Sequence, residues 1–62
     1  MYIYAIYKLI FNEEGVASNV SMIEYTSDET EAVSCTKLYN LQVPHDLKNR
    51  IKFNFTQSSL HQ

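Results

Sequence analysis

The sequence predicts an α+β fold, ββαβ, in which a three-stranded antiparallel sheet carries one helix packed on one face. Three observations predict it: an apolar run over residues 2–11, a helix-capping signal over 26–29, and a strictly alternating segment over 50–56. With 62 residues, the chain is expected to form a single domain over 1–56, followed by a polar, flexible tail over 57–62.

The first predicted strand, residues 2–11, reads YIYAIYKLIF and is apolar on both of its faces. With a period of two, one face carries Ile3, Ala5, Tyr7, Leu9 and Phe11, and the other carries Tyr2, Tyr4, Ile6, Lys8 and Ile10. A two-sided apolar pattern is typical of a central strand. We expect the helix to cover the odd-numbered face and to leave the even-numbered face open.

The second strand is predicted over 16–25, after a turn over 12–15 that ends at Gly15, the one glycine of the chain. Its apolar positions change face midway, because Val20 and Met22 share one face whereas Ile23 and Tyr25 share the other. Such a change is typical of a strand with a bulge or of an edge strand. We therefore place this strand at an edge of the sheet.

A helix is predicted to begin at Thr26, which with Glu29 forms a capping box. Its apolar stripe consists of Ala32, Cys35, Thr36 and Tyr39. Asn40 is the expected last residue, since Asn tolerates the left-handed conformation and Pro44 prevents continuation.

A loop over 41–49, with one helical turn begun by Pro44, is predicted to lead into the third strand over 50–56. Ile51, Phe53 and Phe55 form the apolar face of this strand. A right-handed crossover from strand 2 through the helix places strand 3 beside strand 1, so the predicted strand order is 2-1-3.

Charge and cysteine content narrow the class of protein. The formal net charge is −2, and Cys35 is the only cysteine, which excludes a disulfide within one chain and fits a reducing, cytoplasmic location. Residues 1–11 lack a basic leader and are too short to span a membrane, so we expect no membrane association. The carboxylates at the helix start, Glu24, Asp28, Glu29 and Glu31, are interpreted as helix capping, with an acidic patch for a basic partner as the alternative.

The chain is not expected to be an enzyme. His45 and Asp46 are neighbours in a loop, and Cys35 lies on the helix beside small and aromatic residues, patterns that indicate loop polarity and a small buried side chain. We expect no metal, no cofactor and no small-molecule substrate.

The predicted binding surface is the even-numbered face with its polar neighbours, and it would take a protein partner or a second copy in a homodimer. Its residues are Tyr2, Tyr4, Ile6, Lys8, Ile10, Arg50, Lys52 and Asn54. The alternative function is single-stranded nucleic-acid binding, with Tyr2 and Tyr4 stacking on bases and Lys8, Arg50 and Lys52 contacting phosphates. Packing of residues 41–47 under the sheet would instead cover this face.

In size and order of elements, residues 2–56 resemble small phage and mobile-element proteins that inhibit host systems, including anti-CRISPR proteins. These proteins share no motif, so no functional residue is carried over. The resemblance implies a stoichiometric protein inhibitor of a host or defence complex, acting in the host cytosol.

Overall fold

The computed structural model describes residues 2–59 and contains the predicted elements in the predicted order. These are β1 (Tyr2–Phe11), β2 (Ala17–Thr26), α1 (Glu29–Gln42), a 3-10 turn (His45–Leu47) and β3 (Ile51–Ser59). The strands form one sheet in the order β2-β1-β3, antiparallel at both junctions. The α+β class and the central position of β1 are confirmed.

The hairpin between β1 and β2 closes as its sequence predicts. Gly15 has a φ of 81°, a left-handed conformation that a Cβ would disfavour. The Asn12 side chain accepts hydrogen bonds from the main-chain N–H groups of Glu14 and Val16, at 2.9 and 3.0 Å. The turn therefore holds β1 and β2 together through local hydrogen bonds.

The edge strand β2 is irregular at two places. Its pairing with β1 shifts between Ile6 and Tyr7 and again between Ile10 and Phe11, which leaves Ile23 and Ser18 without a partner residue on β1. Such unpaired extra residues are β-bulges. The predicted edge position is therefore confirmed, and the bulge, which the sequence offered as the alternative, is present as well.

The helix begins two residues later than predicted. Asp28, and not Thr26, is the N-cap, and its carboxylate accepts from the N–H groups of Thr30 and Glu31 at 2.9 and 3.4 Å. Thr26 ends β2 instead, and its hydroxyl accepts from the N–H of Asp28 at 3.2 Å. Both Thr and Asp are good N-cap residues. Because the extended backbone of β2 continues through Thr26, the helix can begin only after it, and Asp28 is the N-cap.

The helix also continues past Asn40 to Gln42, and Asn40 has no left-handed backbone. The Asn40 amide instead donates to the Phe53 carbonyl at 3.0 Å and accepts from the Phe53 N–H at 2.9 Å. One side chain thus satisfies both main-chain groups of a residue on the edge strand β3, much as a neighbouring strand would.

The strand β3 runs three residues beyond its predicted end. Residues 57–59, expected to be part of a flexible tail, pair with Tyr4, Ile3 and Tyr2 of β1. The long central strand supplies main-chain partners for these polar residues, and hydrogen bonding to it outweighs their low strand propensity. The remainder of the predicted tail, residues 60–62, lies outside the described residues.

The helix covers the even-numbered face of β1, so the prediction that it covers the odd-numbered face is wrong. Tyr4 and Ile6 are 7% and 0% exposed, and the Tyr4 hydroxyl donates to Glu29 of α1 at 3.2 Å. The register explains the choice: Phe55 lies opposite Ile6, which puts the apolar row of β3 on the even-numbered side. The helix packs where both strands are apolar.

Tyr39 of α1 contacts both edge strands on that side of the sheet. Its ring stacks on Phe53 of β3 with centroids 4.9 Å apart, and its hydroxyl donates to Glu24 of β2 at 2.8 Å. Ala32, which is fully buried, allows the helix to lie close to the sheet. Among residues 2–59, Ile6 is the one large side chain that is fully buried, so the core of the single chain is small.

We predict that Ile6→Ala removes most of the stability of the fold. Truncating a buried Ile to Ala costs about 2–5 kcal/mol, and a domain of this size has roughly 3–5 kcal/mol in total. Urea unfolding followed by circular dichroism measures the loss. Leu41→Ala is the matched control, because Leu41 is 75% exposed on α1 and should change the free energy of unfolding by less than about 0.5 kcal/mol. Equal losses in the two variants would contradict this core.

We predict a smaller loss for Asn40→Ala. Two hydrogen bonds to Phe53 are lost, each worth about 1 kcal/mol. The higher helix propensity of Ala offsets part of this loss in the free energy of unfolding. A net loss of about 1 kcal/mol is expected in urea unfolding. Gln42→Ala removes an exposed amide from the same helix and should leave the midpoint unchanged. An unchanged midpoint for Asn40→Ala would show that its amide does not hold β3.

Candidate functional site

The face of the sheet opposite the helix, called the open face below, is defined by the register of the three strands. The odd-numbered residues of β1 lie beside alternate residues of β2 and β3. Its members are Ile3, Ala5, Tyr7, Leu9 and Phe11 of β1; Ala17, Val20, Met22 and Tyr25 of β2; and Lys52, Asn54, Thr56 and Ser58 of β3.

The open face is apolar along β1 and β2 and polar along β3. Val20 and Met22 are each 55% exposed and Tyr25 is 64% exposed, although all three are large apolar or aromatic side chains. Within the three strands, Lys52 is the one charged residue on this face, and its ammonium lies 5.8 Å from the centroid of the Phe11 ring. An apolar centre with few charges and a polar border is the usual composition of a protein interface.

The bulge at Ile23 creates this arrangement. Without it, Met22 and Tyr25 would point to opposite sides of β2, because they are three residues apart. With it, Met22 lies opposite Tyr7 and Tyr25 lies opposite Ala5, two odd-numbered residues of β1. The extra residue therefore gathers both side chains on one face, whereas an ordinary strand would bury one of them.

Residues 41–47 do not cover the open face. Val43 is their buried member at 8% exposure, and it lies beside Tyr39 and Phe53 on the helix side. Leu41 and Leu47 are 75% and 38% exposed. Within residues 2–59, the helix and the segment after it occupy the same side of the sheet.

The structure divides the residues predicted to bind a partner between the two faces. Tyr4 and Ile6 are buried under α1, and Lys8 and Ile10 are half-buried on the same side. Tyr2 belongs to that side too and is 49% exposed at the end of β1. The proposed location of these five residues on an uncovered face is wrong, for the register reason given above.

The remaining three predicted residues lie elsewhere. Lys52 and Asn54 are on the open face, and the side-chain Oδ1 of Asn54 accepts from the N–H of Phe55 at 2.9 Å. Arg50 precedes β3, and its Nε donates to the carbonyl of Phe11 at 3.0 Å. Arg50 also lines an open depression of about 350 Å³ with Asn12, Glu13 and Glu14 at the hairpin end.

The arrangement predicted for nucleic-acid binding is not assembled. Stacking on bases needs exposed aromatic rings beside cations, but Tyr4 is buried and Lys8 lies on the helix side, away from Lys52. The exposed aromatic residue that sequence reasoning missed is Tyr25, together with Met22 and Val20. The change of face within β2 was the signal for them, because a bulge at that change puts Val20, Met22 and Tyr25 on one side of the strand.

The carboxylates at the helix start serve the fold. Asp28 caps the helix, Glu29 accepts from Tyr4, Glu24 accepts from Tyr39, and Glu31 accepts from the Thr26 hydroxyl at 3.4 Å. Each of the four therefore has a hydrogen-bond donor within the chain. Asp28 alone has the capping role expected of the four residues, and Glu24, Glu29 and Glu31 accept from side-chain hydroxyls instead.

Two tyrosines on the helix side have raised pKa values. Burial, followed by the hydrogen bond to Glu29, raises the pKa of Tyr4 above its ordinary 10.0. The hydrogen bond to Glu24, followed by burial, raises the pKa of Tyr39 in the same way. Both phenols act as hydrogen-bond donors, and folding favours their neutral form.

Glu24, Glu31 and Cys35 form a cluster that the sequence did not reveal. Their potential ligand atoms lie within 4.8 Å of one another, on β2 and α1. Burial and the two nearby carboxylates raise the pKa of the Cys35 thiol, which keeps it protonated and makes it a poor nucleophile. Because Glu24 already accepts from Tyr39, these side chains have a structural use in holding the helix to the edge strand.

In comparisons with known proteins, no protein-family description, no curated protein and no solved structure matches this chain. Within residues 2–59, no helix is long and apolar enough to cross a membrane.

We predict that the two tyrosines make stability fall at high pH. A pKa that is raised on folding stabilises the native state fully below the unfolded value of 10.0, and this stabilisation is lost as the pH rises from there through the folded value. Urea unfolding at a series of pH values between neutral and strongly alkaline measures the decline. The double variant with Tyr4→Phe and Tyr39→Phe should lose stability less steeply with rising pH than wild type. An unchanged slope in the double variant would contradict the assignment.

Proposed function

We propose that the chain is a non-enzymatic protein-interaction module whose binding surface is the open face of its sheet. The observation that carries the proposal is the exposure of Val20, Met22 and Tyr25 beside the apolar row of β1. Contiguous exposed apolar area of this kind marks interaction sites on proteins in water.

The structure of β2 supports a binding role over an accidental apolar patch. A bulge costs regular ladder hydrogen bonds, and bulges at functional surfaces serve to redirect side chains. Here the bulge at Ile23 brings Met22 and Tyr25 to the same exposed face. A strand selected only for solubility would turn one of these side chains under the helix.

The border of the open face supports binding as well. Thr56 and Asn54 of β3 are exposed polar residues that follow the apolar row of β1. Polar side chains at the rim leave water around an apolar centre, which is the arrangement in which central residues contribute most to affinity. We infer that Tyr7, Met22 and Tyr25 form that centre.

The proposal retains the protein-binding function expected from the sequence and moves it to the opposite face. The narrower expectation, a phage-type inhibitor of a host or defence complex, would use the same surface against a host protein. It stays a prediction about the identity of the partner.

A charge placed at the centre of the open face tests the proposal. The immobilised wild-type chain captures its partners from a lysate of its source cells. We expect the Met22→Glu variant to lose these partners, because an unpaired carboxylate is costly to bury in an interface. Leu41→Glu adds the same charge at the 75% exposed Leu41 of α1 and should retain them. Quantitative mass spectrometry of the captured proteins, further copies of the chain included, gives the comparison. Identical capture by both variants would contradict binding through this face.

A further inference from the structure

The open face has no cover among residues 2–59, and we propose that a second copy of this chain covers it in a two-fold, face-to-face dimer. This inference rests on the proposed function, since it names the partner of the same surface. The dimer would stack two sheets between two outer helices, giving four layers in place of two. Stacked sheets of this kind lie about 10 Å apart.

The apolar part of the open face spans β1 and β2, which have 10 residues each. At the usual rise and spacing of strands, it is about 33 Å long and about 10 Å wide. This is smaller than the roughly 800 Å² that each partner contributes to a standard interface, so the dimer is expected to be weak and to dissociate on dilution.

The charge distribution also suits a second copy. In a two-fold dimer each charged side chain meets the same surface that bears it, so a face rich in one sign would repel itself. The strands carry Lys8, Glu24 and Lys52, and the first two lie on the helix side. A foreign partner is commonly selected by complementary charges, which this face does not offer.

The register provides complementary shapes for a two-fold axis that runs parallel to the strands, between β1 and β2. Such an axis places β1 of one copy over β2 of the other. Because Ala5 and Tyr25 are neighbours at one level of the sheet, the small Ala5 would lie under the partner's Tyr25, and the reverse. Tyr7 and Met22, which also pair, would meet in the same way one step along, where two larger side chains would pack against each other.

The polar residues of β3 fall at the border in this arrangement. Strand β3 is one and a half strand spacings from the axis, about 7 Å to each side. The two Lys52 side chains would then be separated by about 14 Å laterally and about 10 Å between sheets, beyond the screening length of about 8 Å in physiological salt. Asn54, Thr56 and Ser58 would remain in contact with water.

A second copy is also the partner that is present whenever the chain is made. The monomer has one fully buried large side chain, Ile6, and domains of about 60 residues often depend on association for their stability. Pairing of the open faces would bury the exposed β2 side chains and stabilise the fold by mass action.

The test is the mass of the purified chain in solution over a wide range of concentrations, measured by light scattering. Wild type is expected at twice the 7.2 kDa mass of one chain, dissociating on dilution. Met22→Glu and Tyr25→Lys should raise the dissociation constant by at least about 100-fold, because two charges per dimer would enter an apolar centre. Leu41→Glu should dimerise as wild type does. Circular dichroism checks that every variant folds.

Filtered NOE spectra of a mixture of labelled and unlabelled chains locate the interface. Contacts between the Met22 methyl of one copy and the Tyr7 ring of the other support the proposal. A wild-type mass of 7.2 kDa at all concentrations would overturn the proposal. A dimer that both Met22→Glu and Tyr25→Lys retain would also overturn it, because the contact would then lie at a sheet edge or on the helix. If wild type is monomeric and Met22→Glu no longer captures a foreign protein, the dimer proposal is wrong and the open face binds a foreign protein instead.

Discussion

The register between β1 and β3 determines which surface of this protein is covered. β1 is apolar on both faces and β3 on one, and the pairing of Ile6 with Phe55 aligns the apolar row of β3 with the even-numbered row of β1. The helix packs over that half of the sheet, where Tyr4 and Tyr39 reach carboxylates on α1 and β2. A shift of one residue in this register would exchange the two faces.

The edge strand β2 completes the pattern on the other side. Ala17, Val20, Met22 and Tyr25 lie opposite odd-numbered residues of β1, and the bulge at Ile23 keeps Met22 and Tyr25 in that row. The sheet thus has two apolar halves on opposite faces, one shared by β1 and β3 and the other by β1 and β2. One helix covers the first half, and the second is the open face on which the functional proposal depends.

The order of elements, the bounds of β1 and the edge position of β2 follow from local patterns and were predictable, whereas the bulge in β2 was only an alternative that its pattern allowed. The helix start was less so, because Thr26 and Asp28 are both good N-caps and only the end of β2 decides between them. The identity of the open face could not be predicted. Alternation assigns the two faces of each strand separately, and the register that joins the strands depends on contacts between distant segments, such as the hydrogen bond from the Phe53 N–H to the Asn40 side chain.

The helix occupies the even-numbered face of β1, which leaves Tyr7, Met22 and Tyr25 uncovered in the single chain. The most direct test is the set of NOEs from the Ala32 methyl and the Tyr39 ring, since both belong to the inner side of α1. We expect contacts to Ile6 and to the Phe53 ring, whose centroid lies 4.9 Å from that of Tyr39, in monomer and dimer alike. Contacts from these two side chains to Tyr7 and Leu9 would contradict this position of the helix.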